Sequence, residues 1–191
     1  YPFSIKDYPV DAVCSSAYKW LLSPYGSGFM VLSQKALDQL VPRDINWLSL
    51  KSTEEGRLHD FKIDLCSTAR KFDSFALGGF LNMQGMTASL KFLNELNLND
   101  TSKQVRKLNH TLEAELPKDR FQLLNDGPED FRSLISTFRI KIGDGAKLAE
   151  HLKSEGFSIT YRNQNLRISP NIYNTTAELN NLTRTIHNFK F

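Results

Sequence analysis

The chain has 191 residues, of which 40% are apolar and 24% charged, with 24 lysines and arginines against 21 aspartates and glutamates. That length and balance suit a folded chain with a real core, as one large domain or one domain with part of another. The net charge of +3 comes from scattered basic residues, so no nucleic-acid partner is expected. The densest cluster, Lys103, Arg106 and Lys107, reads as the solvated side of a helix whose other side carries Val105, Leu108 and Leu112. No run approaches the roughly 20 apolar residues that span a bilayer, and nothing resembles a signal peptide, so no membrane association is expected. The two cysteines, Cys14 and Cys66, have no Cys-x-x-Cys spacing and suggest neither a disulfide framework nor a zinc site, which points to a reducing cytoplasm.

In chain order, residues 10–15 read as a short buried strand and residues 28–33 as another. Residues 34–40 suit a short helix that ends before Pro42, and residues 43–64 are irregular and polar, as a loop would be. From 81 to 96, apolar Met83, Met86, Leu90, Leu93 and Leu96 recur near every 3.6 residues around small Ala88 and Ser89, which predicts a long packed helix. The pattern repeats over 101–116, with Ser102 as cap and Pro117 as terminator. Residues 135–142 alternate as a half-exposed strand, Gly143-Asp-Gly145 turns into a helix over 146–154, and Gly156 stops it. Strands at 157–161 and 165–168 and a closing helix over 175–188 complete the chain. A strand, helix, strand, strand, helix order predicts an α/β or α+β unit whose helices cover one face of a mainly antiparallel sheet.

The richest segment is Asp11-Ala-Val-Cys-Ser-Ser16-Ala-Tyr18-Lys19-Trp-Leu-Leu-Ser-Pro24-Tyr-Gly26-Ser-Gly28-Phe29, which sets one lysine between an apolar strand and a Gly-x-Gly turn. Apolar Trp20, Leu21 and Leu22 beside Lys19 would disfavour its charged form and so favour nucleophilic use of its amine. The segment resembles the pyridoxal-phosphate lysine segment of class V aminotransferases, with Ser23 where that family usually has glycine. The resemblance implies that Lys19 forms the Schiff base with pyridoxal 5'-phosphate and shuttles the α-proton, and that Ser16 and Tyr18 hold the cofactor phosphate. Without it, Lys19 reads as a surface lysine laying its stem over an apolar patch.

Two later segments are similar to the same family in the same order. Arg70-Lys-Phe72-Asp73 matches an Arg-[Arg/Lys]-[Phe/Tyr]-[Glu/Asp] run, but the family's following Gly-Thr-x-Asn is replaced by Ser74-Phe-Ala-Leu-Gly78-Gly79. The cross-dimer phosphate contact of that threonine would then fall to Ser74 or to the N–H groups of the glycine pair; the plain alternative for Arg70 is an ion pair with Asp73. Leu166-Arg167-Ile-Ser169 with Tyr173-Asn174-Thr175 matches the family's Leu-Arg-[Ile/Ala]-Ser-x-x-x-Tyr-Asn-Thr. There it implies that Arg167 grips the substrate α-carboxylate with a guanidinium that cannot deprotonate. Read alone, Asn174 is a helix cap and Arg162 a fallback carboxylate ligand.

The resemblance implies an α/β chain of fold-type I: residues 1–80 as the end of a large pyridoxal-phosphate-binding domain, and 81–191 as a bridge helix with a small α+β C-terminal domain. It implies a homodimeric enzyme acting on a small-molecule amino acid. The chain opens without an initiator methionine and is expected to be the C-terminal portion of an enzyme about twice its size, not active alone. The segment 156–165 lacks the loop cysteine of cysteine desulfurases, which disfavours persulfide chemistry. His59, His110, His151 and His187 stand in unrelated contexts. The alternative is a non-catalytic module of the same family serving dimer or partner contacts.

Overall fold

The computed structural model describes residues 4–51, 63–75 and 78–190, which divide into two compact units, Phe3–Glu95 and Leu96–Phe191. His59 and most of the irregular tract before Asp64 lie outside the described residues. Strands and helices are mixed, as the expected α/β class requires.

In the first unit, β1 (Ala12–Ser16) pairs antiparallel with β2 (Gly28–Leu32), in a register from Ala12 opposite Leu32 to Ser16 opposite Gly28. Ser33 then caps α1 (Gln34–Gln39) by accepting from the Ala36 N–H at 3.1 Å. Asp11 ties the start of β1 to this cap, receiving Ser33 Oγ and Lys35 Nζ, each at 3.3 Å. A 3-10 turn at Ala69–Phe72, capped by Thr68, returns Lys71 to α1. The buried Lys71 ammonium donates to the Leu37 carbonyl in the last turn of that helix, where an unsatisfied C=O and the negative end of the helix dipole favour a cation.

The unit ends in α2 (Phe80–Glu95). One expectation fails here. β1 is not buried: four of its five residues are exposed, and Met30 of its partner β2 is 55% exposed. The apolar stripe of α2 is partly covered: Met83 is 60% exposed, Met86 and Leu90 are half-buried and Leu93 is buried. Beside these, the small and polar residues Asn82, Gly85 and Ser89 of α2 pack on the loop that joins β1 to β2.

The second unit opens with α3 (Leu98–Glu115). Its cap is Asn97, which accepts from the N–H groups of Asn99 and Asp100. Ser102 lies inside the helix and bonds the Asn99 carbonyl at 3.0 Å, so the apolar period locates the helix but not its start. Then follow β3 (Phe121–Leu123), absent from the sequence reading, β4 (Ser136–Ile140), α4 (Gly145–Ser154), β5 (Thr160–Arg162), β6 (Asn165–Ile168) and α5 (Thr176–Asn188). The strands form one sheet in the order β3-β4-β6-β5, with every pair antiparallel. Leu108 and Leu112 of α3, Leu148 and Leu152 of α4, and Leu179, Leu182 and Ile186 of α5 meet Phe121, Phe138, Leu166 and Ile168 of the sheet in a single core.

Gly156 ends α4 at φ 88. Its N–H bonds the Lys153 carbonyl and the Phe157 N–H bonds the Leu152 carbonyl, the two bonds of a Schellman stop. Phe157 and Ile159 leave that stop as irregular chain packed on the core, which is why the next strand is only Thr160–Arg162. Asn163 and Gln164, at φ 50 and 63, form the two-residue turn into β6. α5 is capped by Thr175 in a reciprocal capping box with Glu178. Asn174 instead accepts the Asn171 N–H at 2.9 Å in the preceding turn.

Candidate active site

Lys19 sits on a compact turn connecting β1 to β2. The Ala17 N–H bonds the Ser27 carbonyl at 2.9 Å, the Ser23 N–H bonds the Ala17 carbonyl at 3.1 Å, and the Leu22 N–H bonds the Lys19 carbonyl at 3.1 Å. Ala17 is fully buried beneath these bonds. Leu22 adopts φ 53 and Gly26 φ 84, so the chain turns back on itself twice within the segment. Gly28 allows the closing approach: a Cβ there would stand 2.8 Å from the Ser15 carbonyl oxygen.

The turn is held by α2. Asn82 Nδ2 donates to the Tyr25 carbonyl at 3.1 Å, and Ser89 Oγ donates to the Leu22 carbonyl at 2.9 Å. Between them Gly85 lies so close to Pro24 that a Cβ would fall 2.4 Å from its Cγ. Asn82, Gly85 and Ser89 therefore position the lysine turn, and the sequence reading did not single them out for that role. Their spacing of three and four residues was the available signal, since it puts one small, polar stripe on one helix face.

Tyr18 and Lys19 lie on this turn and Ser16 ends β1 just before it. Lys19 is exposed, with Nζ 5.4 Å from the Tyr18 ring centroid, and the Tyr18 ring lies 4.3 Å from that of Tyr25. The apolar neighbours do not enclose it: Trp20, Leu21 and Leu22 are only half-buried. Among the described residues no carboxylate pairs with Lys19, and the hydroxyls of Ser16 and Tyr18 have no hydrogen-bond partner. An exposed amine with no counter-ion among the described residues is accessible to a ligand that carries an aldehyde.

Arg70 makes no ion pair with Asp73 among the described residues; its Nε donates to the Leu48 carbonyl at 2.9 Å. Ser74 is exposed. Of the histidines, His110 lies 3.1 Å from a Glu129 carboxylate oxygen, His151 stacks on Phe189, and His187 reaches the Glu115 carbonyl at 2.9 Å. Cys14 is exposed and Cys66 buried.

Arg167 belongs to the second unit. It is exposed on β6, opposite Thr137 of β4 on one side and Thr160 of β5 on the other. Arg162 lies on β5 opposite Asn165. The Tyr173-Asn174-Thr175 segment that follows serves as the entry to α5, where the Thr175 N–H and hydroxyl both reach Glu178. These bonds hold the Glu178 carboxyl below the usual glutamate range. A cavity of about 320 Å³ opens beside this entry, lined in part by Phe157, Ile168 and Tyr173, but not by Arg167.

Among the described residues no helix is long and apolar enough to cross a membrane. No curated protein sequence matches the chain. Among solved structures, the fold is similar to that of the cystine C-S lyase C-DES in complex with its product cysteine persulfide. The identity is 15% and the TM-score 0.84, over 100% of this chain and 49% of that one. A mutant of C-DES with glycine covalently linked to its PLP cofactor superposes at TM-score 0.83 and 14% identity, over 99% and 49% of the two chains. The cysteine desulfurase CsdA from Escherichia coli gives 0.79 and 17%, over 98% and 48%. The chain thus spans about half the length of the structures it resembles. The model of the family described as aminotransferase class-V matches residues 1–182. That match takes in the lysine turn and the Arg167 strand alike: the chain belongs to the class-V aminotransferase family, and its cofactor is pyridoxal 5'-phosphate.

Proposed function

We propose that this chain is the C-terminal portion of a pyridoxal-phosphate enzyme that acts on the amino group or α-carbon of an amino acid. The observation that carries this reading is the exposed, ion-pair-free Lys19 on a turn fixed by three contacts to α2. In this reading Lys19 holds the cofactor aldehyde and moves the α-proton at its Nζ. Ser16 and Tyr18 donate their hydroxyls to the cofactor phosphate. Arg167 takes the substrate α-carboxylate with two parallel N–H donors, a fork that fixes orientation as well as charge. The cofactor, when bound, supplies the electron sink for carbanion chemistry.

The same reading takes residues 1–80 as the end of the cofactor-binding domain and 81–191 as bridge helix and small domain, in a cytoplasmic homodimer. Because the segment 156–165 has no cysteine, transamination, elimination or racemisation is proposed ahead of desulfuration through a protein persulfide. The test uses the full-length protein with pyridoxal phosphate. A visible absorption band that borohydride fixes onto Lys19, and that Lys19→Ala abolishes, supports the reading. Absence of the band, or its persistence in Lys19→Ala, overturns it.

A second reading, a non-catalytic module serving dimer or partner contacts, has one observation in its favour. The apolar residues Phe29, Met30 and Val31 of β2 are all more than a third exposed, and Phe75 and Leu81, around the altered glycine segment, are 72% and 87% exposed. Such surface on a folded unit is what an interface looks like before it is covered.

A further inference from the structure

In the second unit, α3, α4 and α5 pack on one face of the sheet, and strand alternation sends every second residue to the other. The core face takes Phe121, Phe138, Tyr161 and Leu166. The opposite face takes Gln122 of β3, Thr137 and Arg139 of β4, Asn165 and Arg167 of β6, and Thr160 and Arg162 of β5. No carboxylate occupies any of these positions, in a chain with 21 acidic residues. Arg139, Arg162 and Arg167 are all exposed and have no hydrogen-bond or ion-pair partner among the described residues.

The register fixes how these cations lie. Arg139 and Arg162 stand directly opposite Asn165 from the two neighbouring strands, and Arg167 is two residues along from Asn165 on the central one. Each of the two is therefore a diagonal neighbour of Arg167, at about 7–8 Å between Cα atoms, within reach of long side chains. Thr137 and Thr160 flank Arg167 with hydroxyls. Like charges this close on one sheet face repel, and an anion spanning them removes the repulsion while filling donors made for it. Lys141, which follows β4, is already engaged with the Lys118 carbonyl at 2.7 Å, so among the described residues the unpaired cations of this face are the three guanidiniums.

We propose that Arg139 and Arg162 form a second acid-binding subsite beside Arg167, and that the substrate is an amino acid with a second carboxylate. The inference rests on the reading above for the role of Arg167. It adds that the pair flanking Asn165 reads the side-chain acid, which a guanidinium fork does with geometric selectivity that an ammonium lacks.

The test titrates the full-length protein with succinate and with butyrate, neither of which has an amine to react with the cofactor. Succinate is expected to bind at least about tenfold tighter than butyrate, the equivalent of one further charge-assisted hydrogen bond. Arg139→Gln or Arg162→Gln should bring succinate to the affinity of butyrate, and Arg167→Gln should weaken both acids, with far-UV circular dichroism confirming that each variant folds. Equal affinities for the two acids, or a succinate preference that survives both variants, overturns the proposal. So does tight binding of single-stranded DNA that the same variants abolish, since it would assign the face to a polyanion. The Lys19 absorption band is recorded on the same samples: a band without succinate preference refutes only the second acid site, whereas succinate preference without a band refutes the enzyme reading.

Discussion

Gly85→Ala sets two effects of opposite sign against each other at the contact that holds the lysine turn. In an isolated helix the substitution stabilises by about 1 kcal/mol, because alanine loses less backbone freedom than glycine. Here the new Cβ would lie 2.4 Å from Pro24 Cγ and 3.0 Å from its Cδ. The proline ring has no rotamer to escape into, so the turn itself must move and strain the bonds from Asn82 to the Tyr25 carbonyl and from Ser89 to the Leu22 carbonyl. Overpacking of this kind costs about 1–3 kcal/mol, and the steric cost outweighs the helix gain. The expected result in the full-length protein is a net loss of about 1 kcal/mol in urea unfolding, with a weaker Lys19 absorption band at fixed pyridoxal phosphate. Pro24→Ala in the Gly85→Ala background should recover part of both losses, since the two residues touch and their effects will not add. A gain of about 1 kcal/mol with an unchanged band, the response of an ordinary helix glycine, would refute the claim that this approach positions the turn.

The other expectations concern the second unit. Ser136 is fully buried, and its hydroxyl is the donor facing Asn109 Oδ1 at 3.1 Å and Glu113 Oε1 at 2.7 Å; Ser136→Ala leaves buried acceptors short of a donor and should cost about 1–3 kcal/mol by denaturant unfolding. Leu152, with no exposed surface in the core between α4 and the sheet, should cost about 2–5 kcal/mol on Leu152→Ala in the same assay. Thr175→Ala removes the hydroxyl that accepts the Glu178 N–H at 3.2 Å, while the N–H of residue 175 still donates to the Glu178 carboxylate, and should cost about 1 kcal/mol. Because Glu178 has its folded-state pKa lowered by the Thr175 N–H and hydroxyl, its contribution is present above the ordinary glutamate pKa and is lost as pH falls through the lowered folded value. Thermal unfolding of Glu178→Gln should accordingly differ from the parent at neutral pH and converge with it in acid; a constant gap at all pH values would contradict the assignment.

The fold of the second unit was largely legible because one face of each element is buried, which imprints the period of the element on the sequence. Val105, Leu108 and Leu112 fall on one side of α3, and Ser136, Phe138 and Ile140 alternate against Thr137 and Arg139 along β4. Boundaries were less legible, because they depend on single hydrogen bonds: Ser102 and Asn174 are as fit to cap a helix as Asn97 and Thr175, and only backbone geometry decides between them. β3 escaped because three residues are too few to display alternation. In the first unit the same logic misleads. Phe29, Met30 and Val31 of β2 form a strand while remaining exposed, so the apolar run there records a surface to be covered and not a core within the unit. The candidate site was legible as a motif around Lys19, yet the residues that fix its geometry, Asn82, Gly85 and Ser89, are interleaved with Met86, Leu90 and Leu93 on one face of α2 and add nothing to an apolar pattern. The Tyr25 and Leu22 carbonyls take donors from Asn82 and Ser89, and Pro24 takes the space left by Gly85, so the helix beside such a turn is read from the small and polar residues set among its apolar ones as well as from the apolar period.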